Sequence, residues 1–413
     1  MAEPQQAPAF TWKFPAGIDN QSREYEVPDT ALRECVNLDV TRAGGLRVRD
    51  GLRLLSAGNF HSLYAPISGQ FGLACVGGYL SRISAAGEVT PLATVSGGRL
   101  VYTEHNSEIY WSDGATVGRV NAVGAAAIWG LSVPPAPLCS GSGDTLVRVT
   151  MTARYQGIES GAPEPVVVAG PSVTVTTPAA PAGVDFVIYA TRPDGTALRQ
   201  VTTAAASTSI ALNLTTRSKA LQSLYAIRPP AGKLLCSYHG RIWIAAGSTL
   251  WWTAAESLHW VFSASNFIQF DSDITLLQPV LDGLYVATTT QTFFLAGASP
   301  SEFQQRQVSN FGVVSGAATS RCPSDVFSGN PPQPVAVWID SDGVLCVGRA
   351  SGQTQRLSVN RFSANVRGVP WGSMTYRQHR GIRQFLVGLS EPASASFADV
   401  PISTTVANGL TGA

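Results

Sequence analysis

Short runs of alternating apolar and polar residues, each closed off by Gly, Asn or Asp, recur along this chain, and hardly any window spaces apolar residues at the 3.6-residue period of a helix. A chain patterned in this way has to bury its apolar side chains on sheets, so the fold class is all-β. Six segments read as an apolar strand, a tight turn and a second apolar strand, the pattern of a β-hairpin. They are Leu73–Ile83, Leu100–Trp111, Leu234–Ile244, Val280–Val286, Val335–Val347 and Met374–Val387. Most of their turns follow one another at about the length of a four-stranded propeller blade, which predicts a β-propeller-like body of about five to seven blades. One interval is far longer, and Pro134-Pro-Ala-Pro137 and Arg228-Pro-Pro-Ala231 stand at its ends as stiff punctuation. Inside it Thr145–Tyr155, Ser172–Thr176, Val184–Ala190 and Ser209–Leu212 alternate at the spacing of a small β-sandwich. The expected organisation is an N-terminal arm at 1–13, propeller segments at 14–133 and 231–390, the inserted sandwich at 134–230, and a C-terminal arm at 391–413 with no strand pattern after Val400. A large sandwich or a set of unrelated sheets is the competing arrangement.

Composition fits sheets that hide much of their surface from water. Charged residues make up 13% of the 413 positions and hydrophobic ones 45%, against a usual charged share of about a quarter. Those values exclude intrinsic disorder. Basic and acidic side chains nearly balance at 28 to 27, for a formal net charge of +1, so the chain is no polybasic binder of nucleic acid or membrane. The longest weakly polar run, Val120–Val133, is broken by Asn121 and by glycines and is too short to span a bilayer, so no membrane insertion is expected. The first residues lack a basic stretch and an apolar core, so synthesis is expected to end in the cytoplasm. Cys35, Cys75, Cys139, Cys236, Cys322 and Cys346 lie at wide, irregular spacings that predict reduced, mostly buried thiols.

Glu159 and Asp194 suggest an acidic pair for sugar hydrolysis, but both fall at predicted turns, where Asp and Gly serve the backbone. Asp271/Asp273 and Asp340/Asp342 look like fragments of calcium loops, yet neither continues into a full loop, and hairpin turns are the simpler reading. No nucleophile elbow, zinc-protease or P-loop motif occurs. His105, His239 and His379 fall in or beside hairpin turns, which reads as blade architecture; a metal triad would require the three turns to converge. Trp111, Trp243, Trp251, Trp252, Trp260, Trp338 and Trp371 are expected in blade cores, with sugar platforms as the alternative if they are exposed. The expectation is therefore no catalytic residue, no metal and no cofactor. The sharpest charge asymmetry is a run of seven arginines (Arg349, Arg356, Arg361, Arg367, Arg377, Arg380 and Arg383) with no Asp or Glu between them. These are the candidate interface residues, with solvated blade edges or a DNA-channel lining as the other readings.

Six stretches carry a resemblance to one family. Phe14-Pro-Ala-Gly-Ile-Asp-Asn20, Ala31–Val40 and Gly44–Gly51 resemble the opening of tailed-bacteriophage tail proteins of the nozzle or hub family, which pair a G-[IL]-[DN]-N stretch with an N-v-D…G-x-L-x-x-R-x-G element; here Arg49-Asp-Gly51 departs from the more usual Arg-Pro-Gly. Ile109–Gly114, Tyr155–Gly161 and Trp338–Gly348 are similar to further pieces of that family, and the 134–230 insert is similar to a fibronectin type III module through Glu159-Ser-Gly161 and Tyr189–Gly195. The resemblance implies a structural virion protein of the tail, made in the host cytoplasm. Its implied partners are copies of itself in a ring, neighbouring adaptor, fibre or spike proteins, and viral DNA passing without sequence-specific binding. A glycan-binding propeller acting in host recognition and a polysaccharide-degrading tail enzyme are the alternatives.

Overall fold

The computed structural model describes residues 13–41, 43–49, 54–215, 218–322, 333–379, 382–390 and 404–408. The architecture is all-β and propeller-like. Among the described residues there are five four-stranded antiparallel sheets in simple meander order, one three-stranded sheet of the same kind, and no α-helix. All six hairpins read from the sequence are present. The chain divides into two compact units, 55–270 and 1–54 with 271–413.

In the first unit, Phe60–Tyr64, Gly72–Val76, Tyr79–Ile83 and Val89–Thr94 form one sheet, and Val101–His105, Glu108–Ser112, Val117–Val120 and Ala126–Ala127 form the next. Leu73, Cys75, Leu80, Ile109, Trp111 and Val120 share one buried cluster drawn from both. A third sheet, Leu234–Tyr238, Arg241–Ala246, Thr249–Trp252 and Phe267–Gln269, joins Tyr110 and Trp129 to Leu235, Ile242 and Ile244 in a second cluster. Three hairpins close through two-residue turns in which both residues have positive φ: Gly77-Gly78, Asn106-Ser107 and His239-Gly240. That geometry matches the twist of paired strands and explains Gly, Asn and His at these positions.

The insert is a separate sheet that shares no strand pairing with the blades. Its strands are Leu138–Tyr155, Ile158–Glu159, Val166–Thr176, Asp185–Ala190, Arg199–Ala205 and Ser209–Ala211. Hydrogen bonds join them into one six-stranded sheet, where the expected sandwich has two separately bonded sheets. The reason lies in the 18-residue strand Leu138–Tyr155, which pairs Val166–Thr176 along its first part and Asp185–Ala190 along its second, with a register shift between Ser142 and Thr145. Val147, Val149, Met151, Val173, Val175, Phe186 and Ile188 form its core. Arg199–Ala205 was not read as a strand because Arg199-Gln-Val-Thr-Thr-Ala-Ala205 has little apolar alternation.

In the second unit the sheets are Ile274–Val280, Gly283–Thr288, Thr292–Ala296 and Gln304–Ser309; Val313–Cys322, Val335–Asp340, Leu345–Gly348 and Thr354–Arg356; and Gly372–His379, Ile382–Leu389 and Thr404–Asn408. Their first strands lie side by side. Leu276, Tyr285, Phe294, Trp338 and Cys346 fill the space between the first two sheets, and Val337, Val347, Phe385 and Val387 that between the last two. The strand Thr404–Asn408 corrects the expectation of no strand after Val400, and pairs Gln384–Gly388 of its own chain. Thr404, Thr405 and Val406 are β-branched, and the edge of Ile382–Leu389 offers them unpaired backbone groups.

Gly161 shows how tightly the insert meets its exit segment. A Cβ there would lie 1.6 Å from the Ala226 carbonyl oxygen, whereas one at Gly157 meets nothing within 4 Å and pays only for its φ of +80°. Gly161→Ala is expected to cost about 3 kcal/mol and Gly157→Ala about 1 kcal/mol in chemical denaturation. An equal or smaller loss at Gly161 would contradict this packing.

Candidate functional site

The segment Gly17-Ile-Asp-Asn20 is bonded to the 361–364 loop, more than three hundred residues later, and that loop is bonded in turn to the hairpin turn at Asp340–Gly343. Gly17 and Ile18 pair in parallel with Ala31 and Leu32. Asp19, 8% exposed, accepts the Ser22 N–H at 2.9 Å, the Ser22 hydroxyl at 2.8 Å and the Gln21 N–H at 3.2 Å, a self-contained turn. The Ser22 backbone bond leads the effects that hold its carboxyl below the usual range. Asn20 then clamps the 361–364 loop: its N–H donates to the Arg361 carbonyl at 2.8 Å, its Nδ2 to the Ser363 carbonyl at 3.0 Å, and its Oδ1 accepts the Ser363 N–H at 3.0 Å. The loop continues the connection, since the Ser363 hydroxyl donates to the Asp342 carbonyl at 2.5 Å and the Ala364 N–H to the Gly343 carbonyl at 2.8 Å.

Asp340 is the centre of that turn and is 1% exposed. It accepts the N–H groups of Asp342 and Val344 at 3.0 and 2.9 Å, Nε of Arg356 at 2.8 Å, and the Cys346 thiol at 3.4 Å. Burial, with the Asp340 charge beside it, pushes the Cys346 thiol well above its ordinary value, so it stays protonated. Arg356 also binds Asp342 at 2.8 Å and lies 4.0 Å over the Phe311 ring. Gln21, Asp342, Arg356, Asn360, Phe362 and Ser363 line a cleft of about 370 Å³ beside these bonds. Asp340/Asp342 is thus a hairpin turn, as read, with a guanidinium where a cation was weighed.

The arginine run is not one surface. Arg356 is neutralised by two carboxylates just ahead of the run. Arg349 is half-buried, and its carbonyl accepts the Tyr285 hydroxyl at 2.6 Å. Arg361 and Arg367 are exposed. Arg377 and Arg383 are half-buried on paired strands, but Arg377 is opposite Gln384 and Arg383 opposite Gln378, which sends them to opposite faces of the sheet. Arg380 lies outside the described residues.

The other weighed residues serve packing and joints. Glu159 accepts the Thr152 and Tyr189 hydroxyls and Lys219 Nζ, each at 2.6 Å, while Trp260 Nε1 donates to its carbonyl at 2.6 Å. Burial works to raise this carboxyl, and the bonds from Lys219, Thr152 and Tyr189 outweigh it. Asp194 accepts the Leu146 N–H at 2.9 Å in a turn. His105 Nδ1 lies 2.8 Å from the Ser237 hydroxyl, a link between the first strands of two sheets that a separation of 132 residues kept out of sequence reading. His239 occupies a hairpin turn, and the His379 ring lies outside the described residues. Among the described residues no three His, Cys, Asp or Glu side chains gather as a metal site, and no helix is long and apolar enough to cross a membrane. Trp111, Trp243, Trp252 and Trp338 are buried, as is Trp129, which was not singled out, while Trp251, Trp260 and Trp371 are half-buried. Cys75, Cys236 and Cys346 are buried free thiols, Cys35 and Cys139 are half-buried, and Cys322 is outside the described side chains.

No family model matches this chain, and no curated protein is similar to it. Among solved structures, AztD of Citrobacter koseri aligns at 12% identity and a TM-score of 0.36, over 86% of this chain and 90% of its own. The periplasmic gluconolactonase PpgL of Pseudomonas aeruginosa aligns at 12% identity and a TM-score of 0.28, over 81% and 95%.

Asn20→Ala removes both side-chain bonds to Ser363 and strands its N–H, so stability should fall by about 1–3 kcal/mol in chemical denaturation. An unchanged midpoint would show the clamp to be idle. Asp113 holds the Ser112–Thr116 turn in the same way, through the N–H groups of Thr116, Ala115 and Ser96. Burial works to raise its carboxyl, but these bonds bring it from 3.8 to about 2. Its contribution to stability is therefore complete above about pH 4 and lost as pH falls toward about 2. Asp113→Asn should be less stable at neutral pH and lose less stability across that window; parallel pH profiles for the two proteins would contradict the assignment.

Proposed function

We propose that this chain is a non-enzymatic structural component of a bacteriophage tail, a nozzle or hub protein that assembles with copies of itself in a ring around the DNA exit channel. Fibre, spike or adaptor proteins would attach to that ring. The observation that supports this reading most is that Asn20 and the Asp340–Gly343 turn are both bonded to the 361–364 loop, because the motifs that contain them carry much of the resemblance to tail proteins. Asn20 puts its hydrogen bonds into holding that distant loop, while Asp19 and Asp340 fix their own turns, which suits a part that stays rigid while DNA passes. The formal net charge of +1 suits the same task, since a strongly basic channel would retain phosphates by counterion release.

Imaging of purified virions with an antibody against this chain tests the proposal. Label is expected at the tail, in repeated copies around its axis. Complete, infectious particles that lack the chain, or label confined to the capsid, would overturn it.

A further inference from the structure

The cleft beside the Asp340 turn restricts its guest by charge, size and side-chain type. The ionised side chains that line it are Asp342 and Arg356, 2.8 Å apart, and they neutralise one another. An anion entering there meets the Asp342 carboxylate, and a cation meets the Arg356 guanidinium, which already bridges Asp342 and the buried Asp340. An apolar guest finds little to cover it, since the apolar lining residues are Val344, Val359 and Phe362, and Val344 is itself buried. The volume of about 370 Å³ lies near the small end of the range, about 300–1,000 Å³, over which proteins hold small molecules. A small, neutral, polar guest is what remains.

Hydrogen-bonding groups face such a guest from a fixed backbone. Arg356 gives Nε to Asp340 and Nη2 to Asp342, which leaves further guanidinium N–H groups and Asp342 Oδ1 without a hydrogen bond among the described residues. The exposed Asn360 amide makes none there either, and the Gln21 side chain commits only its Nε2, to Asn20 at 3.1 Å. Asn360 is held at a φ of +63° by a turn in which the Arg361 and Phe362 N–H groups donate to the Ser358 carbonyl at 3.1 and 2.9 Å, and the Ser358 hydroxyl donates to the Phe362 carbonyl at 2.7 Å. Groups positioned beforehand lose less freedom on binding. A hydroxyl both donates and accepts, so a ring bearing several of them matches a carboxylate oxygen, a guanidinium and two amides gathered in one cleft. We propose that this cleft binds a neutral pyranoside, with its hydroxyls on Asp342, Arg356, Asn360 and Gln21 and its C–H face against Phe362. This site goes beyond the ring reading above and does not depend on it.

Saturation-transfer NMR on the purified full-length chain tests the site. The probes are the methyl glycosides of glucose, galactose, mannose, rhamnose and N-acetylglucosamine, with methyl glucuronide and methyl glucosaminide as charged counterparts. Transfer to at least one neutral glycoside is expected, with weaker binding of the charged counterparts. The variant Gln21→Ala/Asn360→Gly removes both amides, and glycine accepts the φ of +63° without strain. Its circular dichroism and melting should match the wild type, while its affinity for the same glycoside should fall about tenfold. No transfer to any of the neutral glycosides, a charged counterpart binding more tightly than its neutral parent, or a folded double variant that binds as tightly as the wild type would each overturn the site. None of these outcomes bears on the tail ring, which imaging of virions decides separately.

Discussion

Strand register is the constraint on which the rest of this structure depends. Each four-stranded sheet shares a buried apolar cluster with a neighbouring sheet, and a slip of one residue would carry every apolar side chain to the wrong face. Register is held at the turns by two local devices. Gly77-Gly78, Asn106-Ser107 and His239-Gly240 close hairpins with consecutive positive φ angles. Elsewhere a short polar side chain binds the turn's own N–H groups, as Asp113 does for Ala115 and Thr116 and Asp340 for Asp342 and Val344. Once the turns are set, Trp111, Trp243 and Trp338 fall inward without further instruction.

Buried and half-buried polar groups appear where segments distant in sequence must be joined. Asn20 reaches the 361–364 loop, Gln384 donates to Asp39 at 2.9 Å, and Glu159 gathers Thr152, Tyr189 and Lys219 beside Trp260. A buried carboxylate or amide is costly unless satisfied, and each of these is satisfied by groups that only the correct tertiary arrangement brings together. They select one arrangement of the segments where apolar packing alone would accept several.

Charge is used sparingly and unevenly. Arg356 is drawn into the Asp340 turn and onto Phe311, while Arg361 and Arg367, a few residues further on, stay at the surface. One run of arginines thus divides between holding the fold and facing outward.

The all-β class and the six hairpins were legible in the amino-acid order, because period-two alternation and turn residues act over a few positions. The Asp340-Ser-Asp342 turn and the buried tryptophans were legible for the same reason. What the order alone left open was every partner far along the chain. Glu159 read as a turn residue, and only folding placed it under Tyr189 and Lys219; the arginine run read as candidate interface residues, with solvated blade edges or a channel lining as the other readings, and only strand pairing sent Arg377 and Arg383 to opposite faces. The strand Thr404–Asn408 escaped notice because five residues of Thr, Val, Ala and Asn carry too little pattern until an unpaired edge accepts them. Local propensity is written in neighbouring residues, whereas the neutralisation of a charge or the capture of an edge strand depends on which segments meet in space.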